Sequence, residues 1–182
     1  MYVFADDAPD YWEALFALGK EMSASWMWEI SASATKPERR ESVRKLLPRI
    51  GCLSLNRTEA RRMLQTDSMP AAVSMLLDAG VGSVALRMGQ DGSLVADATG
   101  SYRIPACQTQ VVDPTGAGNA YSGAFLVGYC EHHDIVTAGK WGSVAASFML
   151  EQYGLPPKIP DLQPEARKRA AALAEEPVSL NR

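Results

Sequence analysis

The sequence predicts an α/β fold: a three-layer αβα sandwich around a mainly parallel, doubly wound sheet. Apolar runs typical of strands alternate along the chain with segments of helical periodicity, which is the pattern of successive βαβ units. The chain has 182 residues, of which 47% are hydrophobic and 21% charged. This length suits one domain with one core. We therefore expect a single α/β domain over residues 1–182, in which residues 161–182 form a peripheral tail.

Periodicity and turn residues predict the elements of the first half of the chain. Apolar residues at helical spacing predict a helix over 11–18, which begins near Pro9, where a missing N–H does no harm. The stretch Thr35-Lys36-Pro37-Glu38 is interpreted as a capping box that opens a helix through Leu47. The other predicted elements are strands over 25–31, 50–55 and 81–88 and helices over 57–64 and 70–79.

The second half of the chain is predicted to begin with a β-hairpin over residues 93–104. Its turn is Asp97-Ala98-Thr99-Gly100, which contains the residue types that turns require. Helices are then expected from the glycines at 116–118 to about Glu131 and over 136–152. The tail over 164–176 is expected to be either a surface helix or frayed. Trp12, Trp26 and Trp28 are interpreted as core packing, and the basic run Arg167-Lys168-Arg169 as a solvated helix face.

Charge and cysteine content exclude several classes of protein. Lys and Arg number 18 against 21 Asp and Glu, so the formal net charge of −3 leaves no basic footprint for nucleic acid. No apolar run approaches the roughly 18 residues that span a bilayer. The three cysteines are odd in number and far apart, which predicts reduced thiols. We expect a cytoplasmic protein with neither a nucleic-acid nor a membrane partner.

The segment that carries chemistry is Asp113-Pro114-Thr115-Gly116-Ala117-Gly118-Asn119, at the predicted start of a helix. Glycine lets the backbone approach a ligand, and the first N–H groups of a helix lack intrahelical partners at the positive end of its dipole. The segment is therefore a candidate anion site, although a helix start that merely needs a tight turn has the same pattern. It is neither a phosphate loop with Gly-Lys-Ser/Thr nor a dinucleotide fingerprint, since Tyr121 stands where the third glycine would be.

This segment resembles the second signature of the ribokinase-like (PfkB) sugar and nucleoside kinases, Asp-Thr-x-Gly-Ala-Gly-Asp. Three other pieces agree in order: Asn56-Arg57-Thr58-Glu59 after a strand, the strand end Leu86–Ser93 with its hairpin, and the helix and turn at Ser143 and Gly154. The resemblance covers about residues 25–160. The Asp-Pro-Thr and Gly-Asn spellings are most similar to a fungal branch related to the maintenance-of-killer proteins.

The resemblance implies phosphoryl transfer from ATP with Mg²⁺. In the family, the amides of the glycine turn, here Gly116, Ala117 and Gly118, stabilise the charge that develops on the transferred phosphoryl group. Glu59 would contribute indirectly to the Mg²⁺ site, and an adjacent monovalent-cation site is shaped by Asp113. The nucleotide-binding residues that the resemblance implies are Asn56, Glu59, Arg87, Gly89, Gly92, Asp113, Thr115, Ser143 and Gly154.

Two departures from the family pattern affect the expected activity. Asn119 stands where the family has the catalytic Asp, and an amide cannot accept a proton near neutral pH. The N-terminal half of the family fold, with the sugar signature and the β-lid that hold the acceptor, has no counterpart here. A sugar or nucleoside acceptor would therefore need the missing half, and a bare sheet edge would favour a homodimer.

Three interpretations follow from these residues. The first is an ATP-dependent phosphotransferase of the ribokinase type, and the second is a catalytically weak or inactive kinase-like protein that binds a nucleotide or a partner. The third, a nicotinamide-dependent oxidoreductase, lacks its glycine fingerprint after the first predicted strand. The pair Asn56 and Glu59 has an alternative of its own, since Asn-x-x-Glu is also a capping box without any further function.

Overall fold

The fold class predicted from the sequence is confirmed. In the computed structural model, which describes residues 1–156 and 159–180, the chain has an α/β fold with a mostly parallel sheet and helices on both sides of it. Residues 181 and 182 of the predicted tail lie outside the described part. The chain forms two compact units: unit 1 comprises Met1–Leu86, Ala96–Ser101 and the C-terminal residues from Val178, and unit 2 comprises Arg87–Val95 and Tyr102–Pro177.

The strands and helices that the sequence predicts are present in the predicted order, with shifts at their ends. The strands are β1 (Tyr2–Ala5), β2 (Met27–Ile30), β3 (Cys52–Asn56), β4 (Ser83–Arg87), β5 (Ser93–Ala96), β6 (Ser101–Ile104) and β7 (Glu176–Pro177). The α-helices are α1 (Pro9–Glu21), α2 (Arg40–Leu46), α3 (Arg57–Leu64), α4 (Met69–Asp78), α5 (Ala117–His132), α6 (Ile135–Leu150) and α7 (Gln163–Ala172). No helix in the described ranges has the length and apolar character needed to cross a membrane.

Unit 1 is built on parallel strands whose apolar side chains are buried. β2 pairs in parallel with β1 on one side and β3 on the other, so that Trp28 lies opposite Val3 and Leu53. The indole ring of Trp12 from α1 packs 4.8 Å from that of Trp28, centroid to centroid, and both side chains are fully buried. The prediction that the N-terminal tryptophans pack in the core is confirmed.

Unit 2 is organised by the close packing of α5 and α6. Glycines on both helices allow this approach: a Cβ at Gly142 of α6 would lie 2.9 Å from the ring of Tyr121 on α5, and a Cβ at Gly128 of α5 would lie 2.9 Å from Trp141. The Tyr121 hydroxyl donates a hydrogen bond to Ser93 Oγ at 2.8 Å, which ties α5 to the start of β5. The first turn of α5 is therefore held on a well-packed support.

Two short strands were not predicted from the sequence. β1 precedes the first predicted helix, and its alternation of exposed and buried residues covers only four positions. β7 has two residues and pairs antiparallel with β6, where the tail was expected to be a surface helix or frayed to residue 176. Instead α7 ends at Ala172. Runs this short contain too few residues for periodicity to distinguish them.

The predicted capping box at Thr35-Lys36-Pro37-Glu38 is wrong. The Thr35 hydroxyl donates backward to the carbonyl of Ala32 at 2.9 Å, and the residue preceding the helical turn, Lys36, makes no side-chain cap. A 3₁₀ turn over Pro37–Arg39 leads into α2, which ends at Leu46. The helical turn therefore begins one residue later than a cap at Thr35 requires, and the Thr35 hydroxyl bonds within the preceding turn instead.

The contrast between two helical glycines provides a test of the α5–α6 packing. Gly142→Ala should destabilise the protein by about 1–3 kcal/mol, because the new methyl group would overlap the Tyr121 ring. The matched control is Gly123→Ala in α5, where nothing lies within 4 Å of the added Cβ. That change should stabilise the protein by about 0.5–1 kcal/mol, since alanine is the better helix former. Urea denaturation measures both, and equal effects would contradict the packing described here.

Asp134 provides a pH-dependent test of the start of α6. Its side chain accepts a hydrogen bond from Thr137 N at 2.7 Å. Although partial burial acts in the opposite direction, the hydrogen bonds from Thr137 keep the pKa of Asp134 below its ordinary value of 3.8. A carboxyl group with a lowered folded-state pKa contributes stability above its unfolded-state pKa and loses that contribution as the pH falls through the folded-state value.

We therefore expect Asp134→Ala to lower the free energy of unfolding by about 1 kcal/mol at neutral pH. The deficit relative to the wild type should shrink as the pH falls below 3.8. Asp134→Asn keeps a cap acceptor without the charge and should lose less than Asp134→Ala at neutral pH. Thermal unfolding from pH 3 to 7 measures this, and a deficit that is constant over that range would refute the assignment.

Candidate functional site

The glycine-rich segment forms a tight turn that leads directly into α5. The Asp113 carboxylate accepts a hydrogen bond from Thr115 N at 2.9 Å, which closes a local side-chain-to-backbone turn. Gly116 follows in the left-handed conformation, with φ +81°, and caps α5. A residue with a side chain would be strained there, and its Cβ would also lie 3.0 Å from the Met149 methyl group. The turn therefore requires glycine at 116.

The first N–H groups of α5 are largely without acceptors. Ala117 N donates to the Pro114 carbonyl at 3.3 Å, a long hydrogen bond. Within residues 1–156 and 159–180, the amides of Gly116, Gly118 and Asn119 have no hydrogen-bond acceptor. Asn119 is exposed and the other two residues are partly exposed, so this end of the helix is open to ligands. The helix dipole adds a positive potential at these amides, so the arrangement can hold an anionic oxygen group.

The side chains of Asp113 and Asn119 differ in what they can do chemically. Hydrogen bonds from Thr115 keep the pKa of Asp113 below its ordinary value, so its carboxylate is ionised at neutral pH and engaged in shaping the turn. The Asn119 side chain is an exposed amide at the third residue of α5. It can donate or accept a hydrogen bond but cannot take up a proton near neutral pH. The segment thus offers anion-binding donors without a general base at 119.

Asn56 and Glu59 form the capping box that the sequence left open as an alternative. Asn56 Oδ1 accepts from Glu59 N at 2.9 Å, and Glu59 Oε2 accepts from Asn56 N at 2.7 Å. Both residues belong to unit 1, at the junction of β3 and α3. Among the described residues, no group of three or more His, Cys, Asp or Glu is placed to hold a metal ion. Glu59 thus takes part in both hydrogen bonds of the α3 capping box.

The loop after β4 places Arg87, Gly89 and Gly92 close together. Gly89 has φ +64°, is exposed, and has open space where a Cβ would lie. Gly92, with φ +81°, lies against the carbonyl of Ile104, which a Cβ would meet at 2.0 Å. Arg87 is partly exposed at the end of β4. Gly89 is thus accessible to a ligand, whereas Gly92 is required by the packing of β6.

Ser143 and Gly154 also differ in whether a ligand can reach them. Ser143 is 7% exposed, and its hydroxyl donates to the Pro105 carbonyl at 2.9 Å and accepts from Cys107 N at 3.0 Å. Its hydroxyl is therefore used to support the segment before the glycine turn. Gly154 is exposed, has φ +73°, and faces open space.

The sequence-predicted site residues fall into both units. Unit 1 contains Asn56 and Glu59. Unit 2 brings together the residues of the glycine turn and carries the other predicted positions, which are Arg87, Gly89, Gly92, Asp113, Thr115, Gly116, Ala117, Gly118, Asn119, Ser143 and Gly154.

Sequence reasoning missed a partly buried ion pair that joins α7 to the residue after α6. Arg169 was interpreted as part of a solvated face, which is wrong: its side chain is only 19% exposed and lies 2.6 Å from Glu151. Arg167 and Lys168 of the same run are exposed, as expected. Glu151 directly follows α6 and Arg169 lies on α7, 18 residues further along the chain, so no sequence spacing connects them. The only local signal is Glu165, one helical turn before Arg169 and 3.2 Å from it.

Comparison with known proteins places this geometry in a family. The chain is 31% identical over 105 residues to an uncharacterized sugar kinase of Archaeoglobus fulgidus, and 33% identical over 102 residues to a nucleoside kinase of Methanothermobacter thermautotrophicus. These matches cover 58% and 56% of the chain but only 42% and 33% of the two relatives. The chain thus spans less than half the length of either relative.

The fold is shared with a solved kinase structure. The adenosine kinase of Sinorhizobium meliloti superimposes with a TM-score of 0.78 at 23% identity, over 92% of this chain and 54% of that one. The sequence model of the pfkB family carbohydrate kinases matches residues 3–162, which include the glycine turn and the elements that support it. With its open glycine turn at the start of α5, the chain belongs to the pfkB family of carbohydrate kinases.

Proposed function

We propose that this chain is the nucleotide-binding part of an ATP-dependent phosphotransferase of the PfkB type, which acts on a hydroxyl group of a sugar or nucleoside. The observation that carries the proposal is the set of amides without acceptors at Gly116, Gly118 and Asn119. Unsatisfied donors at a helix start attract phosphate oxygens. The names of the relatives, a nucleoside kinase and an adenosine kinase among them, support a phosphoryl-transfer function with a sugar or nucleoside acceptor.

The proposed chemistry is stabilisation of charge. Phosphoryl transfer passes through a loose transition state in which negative charge spreads over the transferred group, so fixed donors and positioning provide most of the catalysis. The amides of residues 116, 118 and 119 would donate to those oxygens, while the side chain of Asp113 holds the turn in place. The same turn would border a monovalent-cation site. Gly89 and Gly154 are accessible positions along the proposed nucleotide path.

When bound with the nucleotide, Mg²⁺ supplies charge neutralisation at the phosphates. Magnesium keeps several waters and needs only one or two carboxylates besides the phosphate oxygens. It does not require a cluster of three or more protein ligands, and the described residues contain no such cluster. Glu59 is the carboxylate proposed to act on the Mg²⁺ site, indirectly and through water. Its role as the cap of α3 fixes the position of that carboxylate.

A second candidate function is a kinase-like protein that holds a nucleotide or a partner with little or no turnover. The observation that favours it is Asn119, since the general base of the family is a carboxylate and the nearby Asp113 is engaged by Thr115. Loss of a positioned general base typically lowers the rate by about 10²- to 10⁴-fold. Nucleotide binding is common to both candidates, and turnover separates them.

We also propose a branch of the family, a cellular compartment and a mode of self-association for this chain. The Asp-Pro-Thr and Gly-Asn spellings of the glycine turn support membership of the fungal maintenance-of-killer-like branch. The three cysteines are free, which supports a reducing compartment such as the cytoplasm.

The acceptor would be held by the N-terminal half of the family fold. β1 lies at an edge of the sheet and is the strand that could pair in a homodimer.

Calorimetry with ATP and Mg²⁺ tests the anion-binding role of the α5 amides. Asn119→Pro removes one N–H in the first helical turn, where proline is tolerated, and should weaken ATP binding by about 10- to 100-fold, the effect of losing one charge-assisted hydrogen bond. The control Asn119→Ala keeps the N–H and removes only the exposed amide side chain, so its affinity should stay near that of the wild type. Equal losses in both variants would place the binding contribution in the side chain instead.

Asn119→Asp tests whether the missing carboxylate limits turnover. The substitution should raise the rate of ATP consumption with a sugar or nucleoside acceptor by about 10²- to 10⁴-fold, because it restores a group that can take up the acceptor proton. The measurement is a coupled assay against a panel of sugars and nucleosides, with the acceptor-binding half of a relative added. If ATP binds but no acceptor is phosphorylated by either form, the second candidate function is favoured. If ATP does not bind, both candidates fall.

A further inference from the structure

The segment that leads into the glycine turn depends on other elements for its position. Residues 105–113 follow β6 and form neither helix nor strand. They therefore lack the repeated backbone hydrogen bonds that would hold their conformation. Any displacement of this segment would move Asp113 and the turn that it closes.

Hydrogen bonds at three points along this segment join it to α6 and to Glu151, the residue that follows α6. Cys107 N donates to Ser143 Oγ at 3.0 Å. The Thr109 hydroxyl donates to Glu151 Oε1 at 2.5 Å. Val112 N and Asp113 N both donate to the Leu150 carbonyl, at 2.7 and 3.3 Å. That carbonyl is among the last of α6, which have no intrahelical donor, so the segment also completes the end of the helix.

Glu151 receives its second hydrogen bond from the C-terminal helix α7. Arg169 donates through one guanidinium nitrogen to Glu151 Oε1 at 2.6 Å and to Ser147 Oγ at 2.8 Å. The guanidinium carbon lies 4.2 Å from the centre of the Phe148 ring, and Arg169 also pairs with Glu165 on its own helix. The Arg169 side chain is thus oriented by four neighbours, three of them on or just after α6.

The charge state of Glu151 supports the same connection. Partial burial would raise the pKa of this carboxyl group, but the hydrogen bonds from Arg169 and Thr109 outweigh it and lower the pKa. Glu151 is therefore ionised at neutral pH and accepts from both partners at one oxygen. Removing Arg169 would leave a partly buried carboxylate with Thr109 as its remaining donor, and such a group tends to turn toward water.

We propose that Arg169 is a positioning residue for the nucleotide site: through Glu151 and Thr109 it holds residues 107–113 on α6 and thereby fixes the turn that presents the free amides of α5. The chain of contacts runs from α7 to Glu151, from Glu151 to the segment, and from the segment to Asp113. This inference rests on the proposed function for its nucleotide readout, whereas the conformational part concerns the protein alone.

Hydrogen exchange of the free protein tests the conformational part. In Arg169→Ala, exchange at the amides of Val112 and Asp113 should be about tenfold faster or more, since one charge-assisted hydrogen bond contributes about 10- to 100-fold to a local opening equilibrium. Exchange in the middle of α5, around Phe125, should not change. The matched control is Arg167→Ala, which removes the same charge from the same helix at an exposed position. It should leave both regions unchanged.

Calorimetry with ATP and Mg²⁺ tests the consequence for the site. Arg169→Ala should raise the Kd for ATP by about tenfold, and Arg167→Ala should leave it within twofold of the wild type. Arg169→Lys keeps the charge beside Glu151 but not the planar fork, so it should recover part of the affinity. A general loss of stability would also accelerate exchange around Phe125. Partial recovery of ATP affinity in Arg169→Lys, with constant exchange around Phe125, therefore indicates a local effect.

Several outcomes would overturn the proposal. They are unchanged exchange at Val112 and Asp113 in Arg169→Ala, equal acceleration throughout α5 and α6, and faster local exchange with unchanged ATP affinity. If Arg169→Ala does not fold, Thr109→Val removes the last link with little change in volume and should give the same local acceleration. If the wild-type chain binds no ATP, the proposed function fails, and the exchange measurements still decide whether Arg169 holds the segment.

Discussion

The left-handed conformation at Gly116 is the constraint on which the candidate site depends. It reverses the chain directly before α5, so that the helix begins at Ala117 with its first amides at an open surface. A side chain at this position would cost roughly 1–2 kcal/mol of backbone strain. Asp113 stabilises the reversal from the preceding side by accepting from Thr115 N. The site is thus made of backbone groups, and side chains act mainly by holding the backbone in place.

The α5–α6 pair gives this backbone a rigid support. Glycines at the contacts let the two helices approach closely, and the Tyr121 hydroxyl bound to Ser93 anchors α5 at its first turns. α6 then serves as the surface on which the lead-in segment lies, through Ser143 near its middle and the Leu150 carbonyl at its end. Apolar packing and polar contacts have separate tasks here: packing fixes the helices, and hydrogen bonds place the segment between β6 and α5.

Family membership and the identity of residue 119 point to different aspects of function. The match to the pfkB family over residues 3–162 includes the glycine turn, whose proposed anion binding needs only amides and a helix start. Proton removal from an acceptor needs a group that can be protonated, and Asn119 is not one. Because loose phosphoryl transition states need little activation of the nucleophile, the amide-lined turn is compatible with slow transfer as well as with binding alone. The backbone amides of the glycine turn thus support the proposed nucleotide binding, whereas the side chain of Asn119 restricts the proposed turnover.

The sequence by itself determined the α/β class, most helices and strands to within a few residues, and the glycine turn, because periodicity, capping residues and glycines act over distances of only a few residues. The Asn56–Glu59 cap was also predicted as an alternative, since both partners lie within one helical turn. Tertiary structure alone decided which site residues are accessible: Gly89 and Gly154 face open space, whereas Gly92 packs on Ile104 and the Ser143 hydroxyl is used inside the protein. It also decided that Arg169 pairs with Glu151 and is not part of a solvated face, because that contact joins α7 to the residue after α6, at a separation that local sequence patterns do not encode.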